Sequence, residues 1–395
     1  MAKATQQQTK KHNTRLVLKT IFDRDKISRA EIARSTHLTK TTVSSIVSDL
    51  IQENLVVEAG IGSSNGGKPP ILLSVLDDGR HYIGIDLANS ELRGATVNLR
   101  GEIIERFNIP INNRDGDSAL ELVYELIETL LRTSKKNIHG IGIGTPGLMD
   151  PENGVVLNAV NLDWKDLPLA EILTEKYHLP IYIANDSQVA ALAEFTFGSA
   201  ESVESLFLIK LGRGVGSGIV IKRNLYYGDE FGAGEIGHVV ENPNGDRCRC
   251  GNFGCLETLV SSRALKKRAW LLIQNDPDSI IHSLVASPEE ITTGVLWQAY
   301  QKEDQIIKTL IAETGETIGK ALAHTVATLN INTVVVSGSL SRFGEGIRKP
   351  IETGIRNAIL PAIAQKTKVV LSSLGEEIVI LGAASLLLNY ELGVV

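Results

Sequence analysis

The chain has 395 residues, with 40 lysines and arginines against 46 aspartates and glutamates for a formal net charge of −6. Its 43% hydrophobic and 22% charged residues are ordinary globular composition, which excludes a disordered or collagen-like chain and allows two or three domains. No apolar run reaches the roughly 18–20 residues of a membrane span, Met1 to His12 are polar and basic with no apolar stretch behind them, and three cysteines are too few for a disulfide framework.

The expectation is therefore a cytoplasmic protein with reduced thiols. Its charge is uneven. Residues 1–70 hold 11 lysines and arginines against 6 acids, a net +5, which leaves 29 basic against 40 acidic groups for the rest. A basic module on an acidic body suits a polyanion partner for the first part alone, although a solvated basic surface would look the same by charge.

The first module reads as a winged helix-turn-helix. Leu16, Leu18, Ile21 and Phe22 recur at helical spacing after Asn13, which predicts a helix to about Asp23. Ser28-Arg29-Ala30-Glu31 is a capping box that starts a second helix running to Ser35. After a short turn, Thr39 caps a third helix with Val43, Ile46, Val47, Leu50 and Ile51 on its apolar face. The opposite face carries Lys40, Thr41, Thr42, Ser44 and Ser45, small donors suited to phosphates and base edges in a major groove. Strands at Leu55-Val56-Val57 and Ile71-Leu72-Leu73 flank residues 60–70, whose tip, Ser63 to Lys68, is a wing. Arg29 and Lys68 join the third-helix residues 39–45 as candidate DNA contacts.

The body reads as a duplicated α/β fold. Strands are predicted at 81–86, 93–99, 103–111 and 138–144, with a helix over 118–133. The plan repeats with strands at 206–211 and 216–222, a long helix near 304–330 and a strand at 333–337. Two such copies predict two lobes with a cleft between them, where strand ends present ligand contacts.

Four constellations carry chemistry. His238 and the three cysteines Cys248, Cys250 and Cys255 form one set, with Arg247, Arg249, Gly251 and Gly254 around it. Three thiolates and one imidazole make a closed tetrahedral set for structural Zn2+, with no position left for a catalytic water, and the arginines are expected to lower the thiol pKa values. Asn185-Asp186 follows an apolar strand and precedes a helix at 189–195; Asp186 is there either a ligand contact or general base, or a helix cap. Glu235 and Glu257 flank the metal loop, as ligand contacts held by the metal or as surface acids. Gly212-Arg213-Gly214-Val215-Gly216-Ser217-Gly218 suits either a phosphate cradle or a hairpin turn.

Glu235-Ile236-Gly237-His238, followed by Cys248-x-Cys250-Gly-x-x-Gly-Cys255-x-Glu257, resembles the motif of the ROK family of repressors, open reading frames and kinases. The resemblance extends over Gly144-Thr145-Pro146-Gly147, Asn161-Leu162, Asn185-Asp186 and the glycine run, about residues 80–390, and the first module is similar to the winged helix of the family's repressors. It implies an α/β chain with a winged helix-turn-helix at 1–78 and a two-lobed actin-like (ribonuclease H-like) sugar-binding domain at 79–395. Lobe one would take 79–187 and the helix at 378–395, and lobe two 188–377. It further implies zinc on His238, Cys248, Cys250 and Cys255, and sugar contacts from Gly147, Asn161, Asn185, Asp186, Glu235, His238 and Glu257. In the family's kinases the aspartate matching Asp186 is the general base.

The departures from the family bear on catalysis. Kinases of this family carry Asp-x-Gly-Gly-Thr where this chain has Asp86-Leu87-Ala88-Asn89-Ser90, so side chains fill space that backbone would need to approach phosphates. Arg213 stands in the second phosphate loop, and the adenosine-side run is thinned to Ser337-Gly338-Ser339-Leu340. Phosphoryl transfer depends on positioning phosphates. The expectation is a non-enzymatic, sugar-responsive transcriptional repressor, a homodimer or dimer of dimers on double-stranded operator DNA, released by an unmodified monosaccharide of xylose or glucose type. The alternative is a sugar kinase with an appended DNA-binding module.

Overall fold

The computed structural model describes residues 5–63, 69–88, 90–198 and 203–394. The wing tip at 64–68, with the candidate contact Lys68, and Asn89 lie outside the described residues. Backbone contacts divide the chain into two compact units, Met1–Asp186 with Val379–Val395, and Ser187–Ile378. No helix among the described residues is long and apolar enough to cross a membrane.

The first unit opens with α1 (Gln6–Arg24), β1 (Ile27–Ser28), α2 (Arg29–Thr36), α3 (Lys40–Gln52), β2 (Val56–Ile61) and β3 (Ile71–Val75). Helix α1 begins well before the apolar spacing predicts. Thr5 and Gln8 cap each other there, and the early turns are exposed, so no periodicity marks them. Ser28 and Glu31 form the expected capping box, and Thr39 caps α3 by accepting from the Thr42 amide. β3 pairs antiparallel with both β2 and β1; the two-residue β1 has too little pattern to be read from sequence. The winged helix falls inside this unit. The Arg100 guanidinium lies 5.0 Å from the Phe22 ring centroid and donates to the Phe22 carbonyl at 2.9 Å.

The body of the unit contains β4 (His81–Leu87), β5 (Glu91–Asn98), β6 (Ile103–Pro110), α4 (Gly116–Thr133), β7 (Ile138–Thr145), β8 (Leu148–Asp150), β9 (Val155–Ala159), β10 (Trp164–Leu167), α5 (Leu169–Tyr177) and β11 (Ile181–Asn185). Its main sheet has the order β11-β7-β4-β5-β6, with β4, β7 and β11 parallel and β5 and β6 antiparallel. Leu122, Val123, Leu126, Ile127 and Leu130 of α4 pack on this sheet's Ile83, Ile85, Ile141 and Ile143.

The second unit continues with α6 (Asp186–Phe197), which starts on the last residue of the first, then β12 (Leu206–Leu211), β13 (Val215–Ile221), β14 (Asn224–Leu225), α7 (Leu256–Val260), α8 (Ser262–Ile273), α9 (Ile281–Leu284), α10 (Thr293–Gln301), α11 (Gln305–Leu329), β15 (Thr333–Ser337), α12 (Glu345–Ala358), α13 (Pro361–Ala364) and β16 (Lys368–Leu371). The sheet order is β14-β13-β12-β15-β16, with β12, β15 and β16 parallel. Both units thus use a three-strand antiparallel meander whose first strand is extended by two parallel strands. The duplication is present as the pattern predicts, with the third strand of the second copy reduced to two residues. The chain ends with α14 (Ile378–Leu387) and a π-turn at Leu388–Leu392. This helix lies directly on β4 and β7: a Cβ at Gly142 would stand 1.8 Å from the Ala383 carbonyl oxygen, and one at Gly84 2.2 Å from that of Ile380.

Candidate metal centre and ligand site

In the second unit, a short 3-10 turn at Ile236–His238 leads into an irregular loop closed by the bridges Val240↔Cys255 and Arg247↔Phe253. Within it the Cys248 amide donates to Asn252 at 2.7 Å and the Gly251 amide to Cys248 at 3.1 Å, a tight turn that brings Cys250 back toward Cys255. The ligand atoms of His238, Cys248, Cys250 and Cys255 all lie within 4.8 Å of one another. Cys248 Sγ is 3.6 Å from His238 Nδ1, and Cys250 Sγ is 3.6 Å from Cys255 Sγ. Ligands on a tetrahedral zinc with ordinary bond lengths stand about 3.6–3.8 Å apart, so this donor set fits such an ion.

Two of the three thiols differ from expectation, whereas Cys250 is lowered as expected, hydrogen bonds from the Asn252 amide and the neighbouring thiols outweighing its burial. Burial pushes Cys255 up to about 12, helped by hydrogen bonds with Cys250 and Cys248, and burial also raises Cys248. Arg247 and Arg249 are solvent-exposed, and it is burial and the neighbouring thiols that set the direction at Cys248 and Cys255. Three thiolates crowded this closely would require a cation, and binding one here would displace protons.

His238 faces two ways. Its Nδ1 points to the thiols, while Nε2 lies 3.7 Å from Glu235 Oε2. Glu257 sits in the first turn of α7, two residues after Cys255, and its Oε2 accepts the Val215 amide at 3.0 Å. Glu235 is exposed and Glu257 half-buried. Val215 opens β13 at the glycine run, which forms the β12–β13 hairpin turn: Leu211 pairs with Val215 and the Gly212 amide donates to the Gly214 carbonyl at 3.0 Å. The run is therefore a hairpin turn, with Arg213 exposed at its tip.

In the first unit, β7 and β11 run parallel with Thr145 opposite Asn185, so their carboxyl ends place Gly147 beside Asn185-Asp186. Asn185 Nδ2 donates to the Gly147 carbonyl at 2.9 Å. Gly147 has φ 96°, and a Cβ there would lie 2.2 Å from the Asn158 carbonyl oxygen, so only glycine fits. Asp186 is the first residue of α6, and Asn161 is exposed in the turn closed by the Leu162 amide on Ala159. Carboxyl ends of parallel strands are where such sheets bind ligands.

At the end of neighbouring β4, Asp86 forms an ion pair with Arg93; their side chains are 2% and 21% exposed. The β4–β5 register sets Asp86 directly opposite Arg93. Sequence reasoning missed Arg93, although opposite charges equidistant from a turn would have indicated it.

On the DNA-reading module, Lys40, Thr41, Ser44 and Ser45 are exposed along α3. The Thr39 and Thr42 hydroxyls bond each other at 2.9 Å and are partly committed to capping. Arg29 pairs with Glu58 of β2 at 3.2 Å, which ties α2 to the wing strand.

A winged helix-turn-helix on a duplicated α/β body, with one histidine and three cysteines gathered in a single cluster, is the architecture of a DNA-binding regulator with its own ligand-binding body. The chain belongs to the ROK family, whose sequence profile matches residues 82–390, and a winged helix-turn-helix DNA-binding profile matches residues 11–57. It is 36% identical to the xylose repressor of Caldicellulosiruptor bescii over 96% of each chain. It is 30% identical to the glucokinase of Halalkalibacterium halodurans over 79% of this chain and 96% of the kinase. Among solved structures it resembles a ROK family transcriptional regulator, a homolog of the E. coli MLC protein, with TM-score 0.86, 28% identity and 98% of each chain covered.

Proposed function

We propose that this protein is a transcriptional repressor that binds operator DNA through α3 and releases it when a monosaccharide binds the body. The observation that carries this reading is that likeness to the xylose repressor spans both the winged helix and the body, 96% of the chain. The relative's name favours xylose as the effector. Lys40, Thr41, Ser44 and Ser45 are the base- and phosphate-facing set, with Arg29, Thr39 and Thr42 shaping the helix ends and Lys68 contributing from the wing.

Gly147, Asn161, Asn185 and Asp186 of the first unit, and Glu235, His238 and Glu257 of the second, are the proposed sugar ligands. Zinc on His238, Cys248, Cys250 and Cys255 supplies a fixed structural centre. Through it the His238 ring is held with Nε2 turned toward Glu235, and α7 is started so that Glu257 faces the hairpin. The protein acts as a dimer, or a dimer of dimers, on a pseudo-palindromic site. No phosphoryl transfer is assigned. The Asp86–Arg93 pair commits the carboxylate at the first phosphate-loop position to a guanidinium, and Arg213 occupies the second.

The test is selection of bound duplexes from a random DNA pool, followed by titration with xylose, glucose and their phosphates. A selected palindrome released by a free pentose or hexose supports the reading. The likeness to a glucokinase gives a second reading, and sugar-dependent ATP turnover at ordinary kinase rates, on the order of 1–100 per second, would establish it instead.

A further inference from the structure

Strand β11 ends on the proposed sugar ligand Asn185 and leads directly into Asp186, the first residue of α6. Three residues before Asn185, the Tyr182 ring stacks on Tyr390, with centroids 4.7 Å apart and planes at 17°. The Tyr182 hydroxyl donates to Glu391 Oε1 at 2.5 Å. Burial, and then Glu391, hold this phenol well above its ordinary value, so it keeps its proton and remains a donor. Tyr390 and Glu391 belong to the π-turn at Leu388–Leu392, a rare backbone form that recurs at functional positions.

The same turn holds the DNA-reading module. Arg15 of α1 donates through Nη2 to the Tyr390 carbonyl at 2.6 Å, and Lys19 Nζ donates to the Val394 carbonyl at 2.9 Å. Helix α1 carries on to α3 through the Lys10–Asp49 pair at 3.1 Å, and Leu18 of α1 and Leu50 of α3 line a common cavity with Leu392. All these residues lie in the first compact unit. A five-residue strand spans about 17 Å and does not compress, so a displacement at its Asn185 end is felt at Tyr182.

We propose that Tyr182 is a positioning residue that couples the effector site to the DNA-reading module, acting through the Tyr390–Glu391 turn and Arg15. This rests on the reading of the protein as a sugar-responsive DNA-binding regulator. Charged donors on two backbone carbonyls hold α1 by direction as well as distance, so a small movement of the turn reorients the module, where a greasy contact would only slide.

The experiment uses the full chain with its selected operator and xylose. It measures the operator Kd with and without saturating sugar in the wild type, Tyr182→Phe, Glu391→Ala and the double variant. The sugar-induced rise in melting temperature is recorded for each. Sugar binding and sugar-free operator affinity should persist in all three variants. The ratio of the two operator Kd values should fall at least about fivefold, within the usual range of such coupling, and the double variant should fall no further than either single one. Intact sugar and operator binding with an unchanged ratio in Tyr182→Phe overturns the coupling role alone. A wild-type protein whose operator affinity ignores sugar overturns the underlying reading, and the coupling with it.

Discussion

His238 Nε2 stands 3.7 Å from the Glu235 carboxylate while Nδ1 of the same ring faces the three thiols. One imidazole thus joins the proposed metal set to the proposed sugar ligands. The orientation of a metal-bound histidine is decided by what its other nitrogen contacts, so losing the metal should disturb Glu235 without touching it.

Cys250→Ser removes one of four donors from a set that fits tetrahedral zinc. Zinc affinity should drop by more than about 100-fold, with loss of the sugar response and retention of operator binding. Metal analysis of the purified variant decides this. A full complement of zinc would remove Cys250 from the ligands.

Asp186→Ala should abolish the stabilisation by sugar, which for wild type at 100 times Kd is about 2.7 kcal/mol, and should leave operator affinity unchanged. Thermal melts with and without xylose measure it. Survival of the full sugar shift would leave Asp186 as only the opening residue of α6.

Arg93→Ala leaves a carboxylate, 2% exposed in Asp86, without its guanidinium. Breaking such a buried pair costs about 3–5 kcal/mol, so urea midpoints should fall markedly. Replacing both partners, as Asp86→Asn with Arg93→Leu, should recover much of the loss. Equal stability of the single variant and wild type would show that the pair contributes nothing.

Lys40→Ala removes an exposed charge from the first turn of α3. The slope of log affinity against log salt should shrink by about 1 if Lys40 neutralises one phosphate. Fluorescence anisotropy over a salt series tests this, and an unaltered slope excludes the contact.

Ser28→Ala breaks the capping box of α2. Hydrogen bonds from the Ser28 hydroxyl and amide hold Glu31 below its ordinary 4.5. A carboxylate lowered on folding adds stability that is present above its unfolded value and lost as pH falls through the folded one. The wild-type module should therefore weaken on acidification below about pH 4.5. The variant should be less stable at neutral pH by about 1 kcal/mol and show a shallower acid loss, both read from melts across pH.

Much of the site is local in the chain and so legible in it. Ser28 with Glu31 and Thr39 with Thr42 are three residues apart, and the Cys248–Cys255 cluster is set by spacing and turns. Asn185-Asp186 could be placed at a strand end because the apolar run before it is short and abruptly stops. The glycine run was ambiguous for a physical reason: glycines suit many tight turns, and it took the Leu211–Val215 pairing to show that this one is a hairpin.

Sequence by itself thus determined the order of modules, the duplicated body, the caps at Ser28 and Thr39 and the clustering of His238 with the three cysteines, because these follow from periodicity and contacts within a few residues. Tertiary structure alone decided that Arg93 engages Asp86, that burial raises Cys248 and Cys255, and that Tyr182 meets Tyr390 more than 200 residues away. Pairings of that kind depend on strand register and on how closely a helix approaches a sheet, as α14 does over Gly84 and Gly142, and neither quantity is written in any local pattern.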